Sequence, residues 1–208
     1  MRKDVAAGAA VLGAALAGAA IYFVREKATP GPDYRVLVSD GDFEIRAYPP
    51  IIVAEAAVQG ERKEALNRGF ELLASYIFDK SAGEPIGMTV PVLQDSGNPM
   101  ASDPPLFDDE VAGGWRVRFV MPEGRTLADL PEPPAGIELR ELPARRVGAV
   151  RFSGLARDEA LVAEEDRLRG WLARHGESCS TAEPEYAFYN SPMIPPPLKR
   201  NEVLLPLG

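Results

Sequence analysis

Donor atoms suited to metals or to nucleophilic chemistry are scarce in this 208-residue chain, which holds one histidine, His175, one cysteine, Cys179, and five methionines. His175 and Cys179 straddle a predicted helix end, and two such groups fall short of a complete metal site. His175 stands before Gly176, so its place is the last helical turn, where a cationic or hydrogen-bonding side chain meets free carbonyls. Met88, Met121 and Met193 offer thioethers and Tyr76 a phenol to iron, yet methionine also fills gaps in cores and an aromatic at helical spacing also packs. Lys199-Arg200-Asn201-Glu202 can grip a carboxylate, with Arg200 supplying bidentate geometry, or can simply open a charged strand. There is no HExxH, no triad spacing and no glycine-rich phosphate loop. Nucleophilic, metallohydrolase and nucleotide chemistry therefore lack their parts. The pair Glu164-Glu165 sits among arginines on a helix, which is an ion-pair face. The chain reads as a binder and not as an enzyme.

The elements that must position these residues repeat. FEIRAYPP (Phe43–Pro50) and IELRELP (Ile137–Pro143) both alternate apolar and charged residues before a proline, the pattern of a half-buried strand that must leave its ladder there. IIVAEAAVQG ends at Gly60 and RRVGAVRFSG at Gly154, so the offset stays at 94 residues. RKEAL (Arg62–Leu66) and RDEAL (Arg157–Leu161) then open a helix in each copy. Strand, proline break, second strand, glycine and helix start in the same order indicate an internal duplication within one domain.

Arg62–Phe78 predicts a helix whose stripe is Leu66, Phe70, Leu73, Ala74 and Ile77. Asp158–Arg174 predicts its counterpart, with Leu161, Leu168, Trp171 and Leu172 turned inward. Tyr34–Val38 is an extra leading strand. Pro85–Leu93 is strand-like but interrupted by Pro91, which favours an edge or bent strand. It pairs with the alternating strand Trp115–Met121. Gln94–Gly114, with five acids and little periodicity, reads as a long surface loop. Tyr186–Tyr189 and Asn201–Leu207 complete the second copy, so each half is β-α-β-β in outline.

Val5–Val24 is 20 residues without a charge, flanked by Arg2-Lys3 and Arg25-Glu26-Lys27, and Tyr22 and Phe23 sit where an interfacial aromatic belt would be. A single-pass membrane anchor over residues 1–27 is the leading reading, followed by a linker at 28–33 and a domain at 34–208. A cleaved signal and a buried helix stay open, because 12 of the 20 residues are Ala or Gly and Ala15-Leu16-Ala17 resembles a cleavage site. Arg2 and Lys3 would hold the N-terminal end in the cytoplasm and send the domain outward. Beyond residue 27 the chain carries 19 bases and 29 acids, a net charge of −10, which repels a phosphate backbone and argues against nucleic acid as a partner.

FEIRAYPP, the helix running to SYIF, GEPIGMTVPV, the strand ending FVMP, ELPARRVGAVRFSG and PPPLKRNEVLL together resemble the SOUL haem-binding protein family from about Tyr34 to Leu207. The resemblance implies an α+β fold, a distorted antiparallel β-barrel of two pseudo-symmetric β-α-β-β repeats with two packed helices. It also implies likeness to bacterial effector-binding domains, which leaves a haem-free small-molecule or protein-interaction module as the alternative. In the family a tetrapyrrole is placed against the apolar face of the first helix, here Leu66, Phe70, Leu73, Ala74 and Ile77. Met88 is a ligand candidate on the following strand, Met193 lies in the C-terminal Pro-Met motif, and Arg200 can hold a carboxylate. Asn67, Ser75 and Ile194 stand where some members place bases, and no histidine lies near the first helix. Haem or another tetrapyrrole is the expected non-covalent ligand, with no axial residue evident.

Overall fold

The computed structural model describes residues 29–79, 86–96, 114–179 and 183–208. The expected anchor at Val5–Val24 and most of the acidic loop lie outside the described residues. Among those described, no helix is long and apolar enough to cross a membrane.

The elements run β1 (Arg35–Asp40), β2 (Phe43–Tyr48), β3 (Ile51–Gln59), α1 (Arg62–Ile77), β4 (Val92–Asp95) and β5 (Gly114–Val120), then β6 (Glu138–Leu142), β7 (Arg145–Phe152), α2 (Asp158–Arg174), β8 (Glu185–Phe188) and β9 (Asn201–Leu207). The strands form one antiparallel sheet in the order β1-β2-β7-β9-β8-β4-β5-β3-β6. The expected α+β class holds, but the barrel does not: β1 and β6 are free edges that pair with each other nowhere. Each repeat is β-β-α-β-β, the strands the sequence marks individually and one more than the β-α-β-β outline counts, with β1 outside the symmetry.

Proline explains how the copies combine. Pro49-Pro50 and Pro143 end β2 and β6 before either can turn back on the following strand, since proline brings no N–H to a ladder. Each first strand instead crosses to the other copy: β2 pairs with β7, and β6 with β3. The pair Glu44↔Ala149, moved by the 94-residue offset, gives Glu138↔Glu55, which is the pair observed. The halves therefore exchange strands and form one unit.

Both helices pack on the same face, because paired strand residues face the same way and Val117, Gln94, Tyr186 and Val203 are successive partners across the sheet. Around α2 the core is Ile45, Val150, Leu161, Leu168, Trp171, Leu172 and Leu205, as its periodicity requires. On α1 the buried residues are Ala65, Gly69, Leu73, Tyr76 and Ile77, a stripe displaced from the expected one. Small residues set it: a Cβ at Gly69 would lie 2.5 Å from Val117 Cγ2, so the helix seats there and turns Phe70 to the margin. β4 corrects a second expectation. Pro91 stands just before the strand and not within it, so β4 keeps its ladder and lies between β5 and β8 in the middle of the sheet.

Candidate functional site

The charged positions of the alternating strands point away from the helices, and there they are buried. Arg46, Glu55, Asp95, Arg116, Arg118, Glu185 and Glu202 are all under a tenth exposed. Among the described residues no helix packs on this face; Tyr48, Val53, Leu93, Val147 and Leu204 belong to the apolar cluster on it, and every charge taken in needs a partner.

Glu202 is the hub at the β2–β7–β9 end. Arg46 donates to it twice, Nη1 to Oε2 at 2.7 Å and Nη2 to Oε1 at 3.1 Å. Arg200 Nη2 donates to Oε1 at 2.7 Å and the Tyr189 hydroxyl to Oε2 at 2.7 Å. The guanidiniums also lie over phenol rings, Arg46 at 4.4 Å from the Tyr34 centroid and Arg200 at 3.9 Å from that of Tyr189. Tyr34 and Tyr48 meet at 5.1 Å. Burial pushes the Glu202 carboxyl up, but the hydrogen bonds and charge of Arg46, the charge of Arg200 and the Tyr189 hydroxyl together hold it below the ordinary glutamate range. Burial and the Glu202 charge push the Tyr189 phenol well above its ordinary value, and burial also raises Tyr48. Both phenols are therefore neutral at physiological pH, Tyr189 donating to Glu202 and Tyr48 accepting from Arg46 Nη1 at 3.3 Å.

A second buried group follows across the same face. Arg145 grips Glu185 with both amino groups at 2.6 and 2.8 Å, Arg116 Nε meets Asp95 at 2.6 Å, and Arg118 bridges Asp95 and Glu55. Burial raises the Glu185 carboxyl, and Arg145 with Arg118 and Arg116 overcomes it to leave the group lowered. For Asp95 burial prevails over Arg118 and Arg116, and its carboxyl is raised.

Beside the Glu202 hub opens a cavity of about 720 Å³, lined by Thr29, Gly31, Pro32 and Tyr34 before β1, Tyr48, Val90, Arg151 and Phe152 of β7, Tyr189, and Leu198, Lys199 and Arg200 before β9. Three bases, Arg151, Lys199 and Arg200, face it against one acid, Asp42. Arg200 is committed to Glu202, whereas Arg151 and Lys199 have no ion-pair partner among the described residues. The cavity is thus locally cationic in a domain of net charge −10. An anion entering it gains both an unspent charge pair and a low-dielectric aromatic wall.

Most of the residues singled out from sequence gather in one apolar cluster that does not line this cavity. Leu73 and Ile77 are 0% and 1% exposed, and Leu66, Ala74 and Met88 pack in the same apolar cluster with Phe119 and Ile86. That helix face is the core of the first half. Phe70 meets Phe119 edge-on at 5.2 Å and is 36% exposed. Met193 is 80% exposed, in the loop joining β8 to β9. Arg200 alone of the eight lines the cavity. His175 caps α2, with Nδ1 2.9 Å from the Trp171 carbonyl. Among the described residues no cluster of three or more His, Cys, Asp or Glu could hold a metal ion. Tyr34, Tyr48, Tyr189, Arg46 and Arg151 were not foreseen; for Arg46, Tyr48 and Arg151 the signal available was a charge or a tyrosine at the helix-free positions of β2 and β7, while Tyr34 and Tyr189 lie outside the strands.

The architecture is a duplicated open sheet with helices on one face and a lined cavity on the other. The chain belongs to the SOUL haem-binding protein family, which it matches over residues 29–206. No curated protein matches it. Among solved structures it is similar to the C-terminal domain of EcmrR, with 12% identity, TM-score 0.58, and 84% of this chain and 98% of that one covered. It is also similar to a hydrolase from Listeria innocua, with 12% identity, TM-score 0.54 and coverage of 83% and 94%. At such identities the likeness concerns the fold.

Proposed function

We propose that this protein is a non-enzymatic tetrapyrrole binder, a carrier, buffer or sensor of haem, that holds its ligand in the cationic cavity and not against α1. Family membership supports haem as the ligand class. The observation that carries the location is the unspent positive charge of Arg151 and Lys199 beside the rings of Tyr34, Tyr48, Tyr189 and Phe152. A planar apolar ring with two carboxylates matches such a wall and such a rim. About 720 Å³ is a space of drug-like to cofactor-like size. The raised phenols make a tyrosinate ligand to iron unfavourable. Burial and ion pairing hold the ring, and haem bound here supplies a coloured, redox-active group without a strong protein ligand.

The tether completes the proposal. Val5–Val24 anchors the chain, and Arg2 and Lys3 keep its first residues cytoplasmic, which puts the domain on the outer side.

Titration of haem into the detergent-solubilised full chain, followed at the Soret band, tests the reading. A saturable shift is expected, weakened at least tenfold by Arg151→Glu with Lys199→Glu and unchanged by Phe70→Ala. The reverse pattern, or no saturable shift at micromolar haem, would sink it.

A further inference from the structure

We infer that the mouth of the cavity lies against the lipid surface, so that the ligand passes between bilayer and protein without crossing water. This rests on the anchored, cavity-binding reading above and adds an orientation and a partner to it.

The first argument is reach. Thr29, Gly31, Pro32 and Tyr34 form one wall of the cavity, and four residues, 25 to 28, lie between Val24, the end of the uncharged stretch, and Thr29. The five Cα-to-Cα steps from Val24 to Thr29 extend to at most about 17 Å. A cavity wall tied so closely to the anchor cannot face away from the membrane at a distance.

The second argument is the surface beside that wall. Leu198 lines the cavity and is 55% exposed. Met193, in the loop whose two ends line the cavity at Asn190 and Leu198, is 80% exposed. Val36, Leu37 and Val38, which follow Tyr34, are 45%, 40% and 37% exposed on the free edge strand. Leu198 is at the opening itself and the others follow its lining residues in the chain, and exposed apolar groups beside charge are the mark of an interaction surface.

The third argument is charge, which selects the occupant. Lys199 and Arg151 lie at this opening without ion-pair partners among the described residues, against the one lining acid Asp42, and Arg25-Glu26-Lys27, net positive, comes just before it in sequence. The rest of the domain is strongly acidic. An anionic bilayer therefore attracts the mouth and repels the remainder, which fixes one orientation.

The test uses the full chain with Cys179→Ser and a bimane label at Met193→Cys, or at Val162→Cys on the exposed side of α2. Each is reconstituted in vesicles of phosphatidylcholine and phosphatidylglycerol with doxyl-labelled lipid. Several-fold stronger quenching at 193 than at 162 is expected, and Arg151→Glu with Lys199→Glu should reduce it while flotation is kept. Flotation with equal quenching at the two positions overturns the orientation alone. Failure to float with vesicles overturns the anchor and this inference together, while the haem titration above stands or falls by itself. Quenching-free labels whose emission depends on protein concentration would give the patch to a second copy and overturn the lipid assignment.

Discussion

Replacing Glu202 by glutamine keeps the shape of the hub and removes its charge. Arg46, 2% exposed, then loses its bidentate partner and keeps the half-buried Glu44 at 2.7 Å as its remaining charged partner, beside the Tyr48 hydroxyl at 3.3 Å. Breaking a buried ion pair from one side costs about 3–5 kcal/mol. The surviving Glu44 contact and the access of Arg200 to water, with 39% of its side chain exposed, put this case at the lower end, about 3 kcal/mol. With a urea slope of about 2 kcal/mol per M, the midpoint falls by about 1.5 M. Trp115 and Trp171 report the transition by fluorescence, one in each half. Arg46→Met, Glu202→Leu and Tyr189→Phe made together remove the charges and the hydroxyl that would be orphaned, and should recover most of the loss, because an apolar replacement of a whole buried pair is near neutral. A Glu202→Gln shift below about 0.5 M, or a triple variant as unstable as the single one, would refute the claim that Glu202 neutralises this face.

The same carboxylates set the acid limit. Glu202 and Glu185 are held below the ordinary glutamate value of 4.5 in the folded state, so the stability they give is complete above that value and is lost as pH falls through it. Asp95, raised above 3.8, acts in the opposite sense and gains as pH falls. The part of the acid dependence owed to Glu202 disappears in Glu202→Gln, so the wild-type urea midpoint should fall more steeply than that of the variant as pH drops below about 4.5. Gly69→Ala should destabilise despite better helix propensity: its Cβ would meet Val117 Cβ at 2.7 Å, an overpacking worth about 1–3 kcal/mol against about 1 gained. Adding Val117→Ala should return part of the loss, measured by the same unfolding curves.

Much of the fold was legible because it rests on local pattern. Asp158–Arg174 is bounded and faced as its periodicity requires, and the 94-residue echo gives the symmetry. The exchange of β2 and β6 was not legible, since alternation states that a strand has two faces and says nothing of its neighbour. The α1 stripe shifted because Ala65 and Gly69, too small to count as hydrophobic signal, are what allows the close approach to Val117. The site was hidden by a sound rule applied to an unusual face. Arg46, Arg116, Arg118 and Glu202 alternate with apolar residues as solvent-facing positions do, yet they are buried in pairs whose partners lie on different strands. The cavity draws Tyr34, Tyr48 and Tyr189 from three separate segments, and no spacing in sequence links them.

The most direct measurement is the crystal structure of the haem-loaded protein. The account predicts macrocycle density between Tyr34, Tyr189 and Leu198, with carboxylates against Arg151 and Lys199. Density on α1 beside Leu66 and Phe70, with the cavity empty, would contradict it.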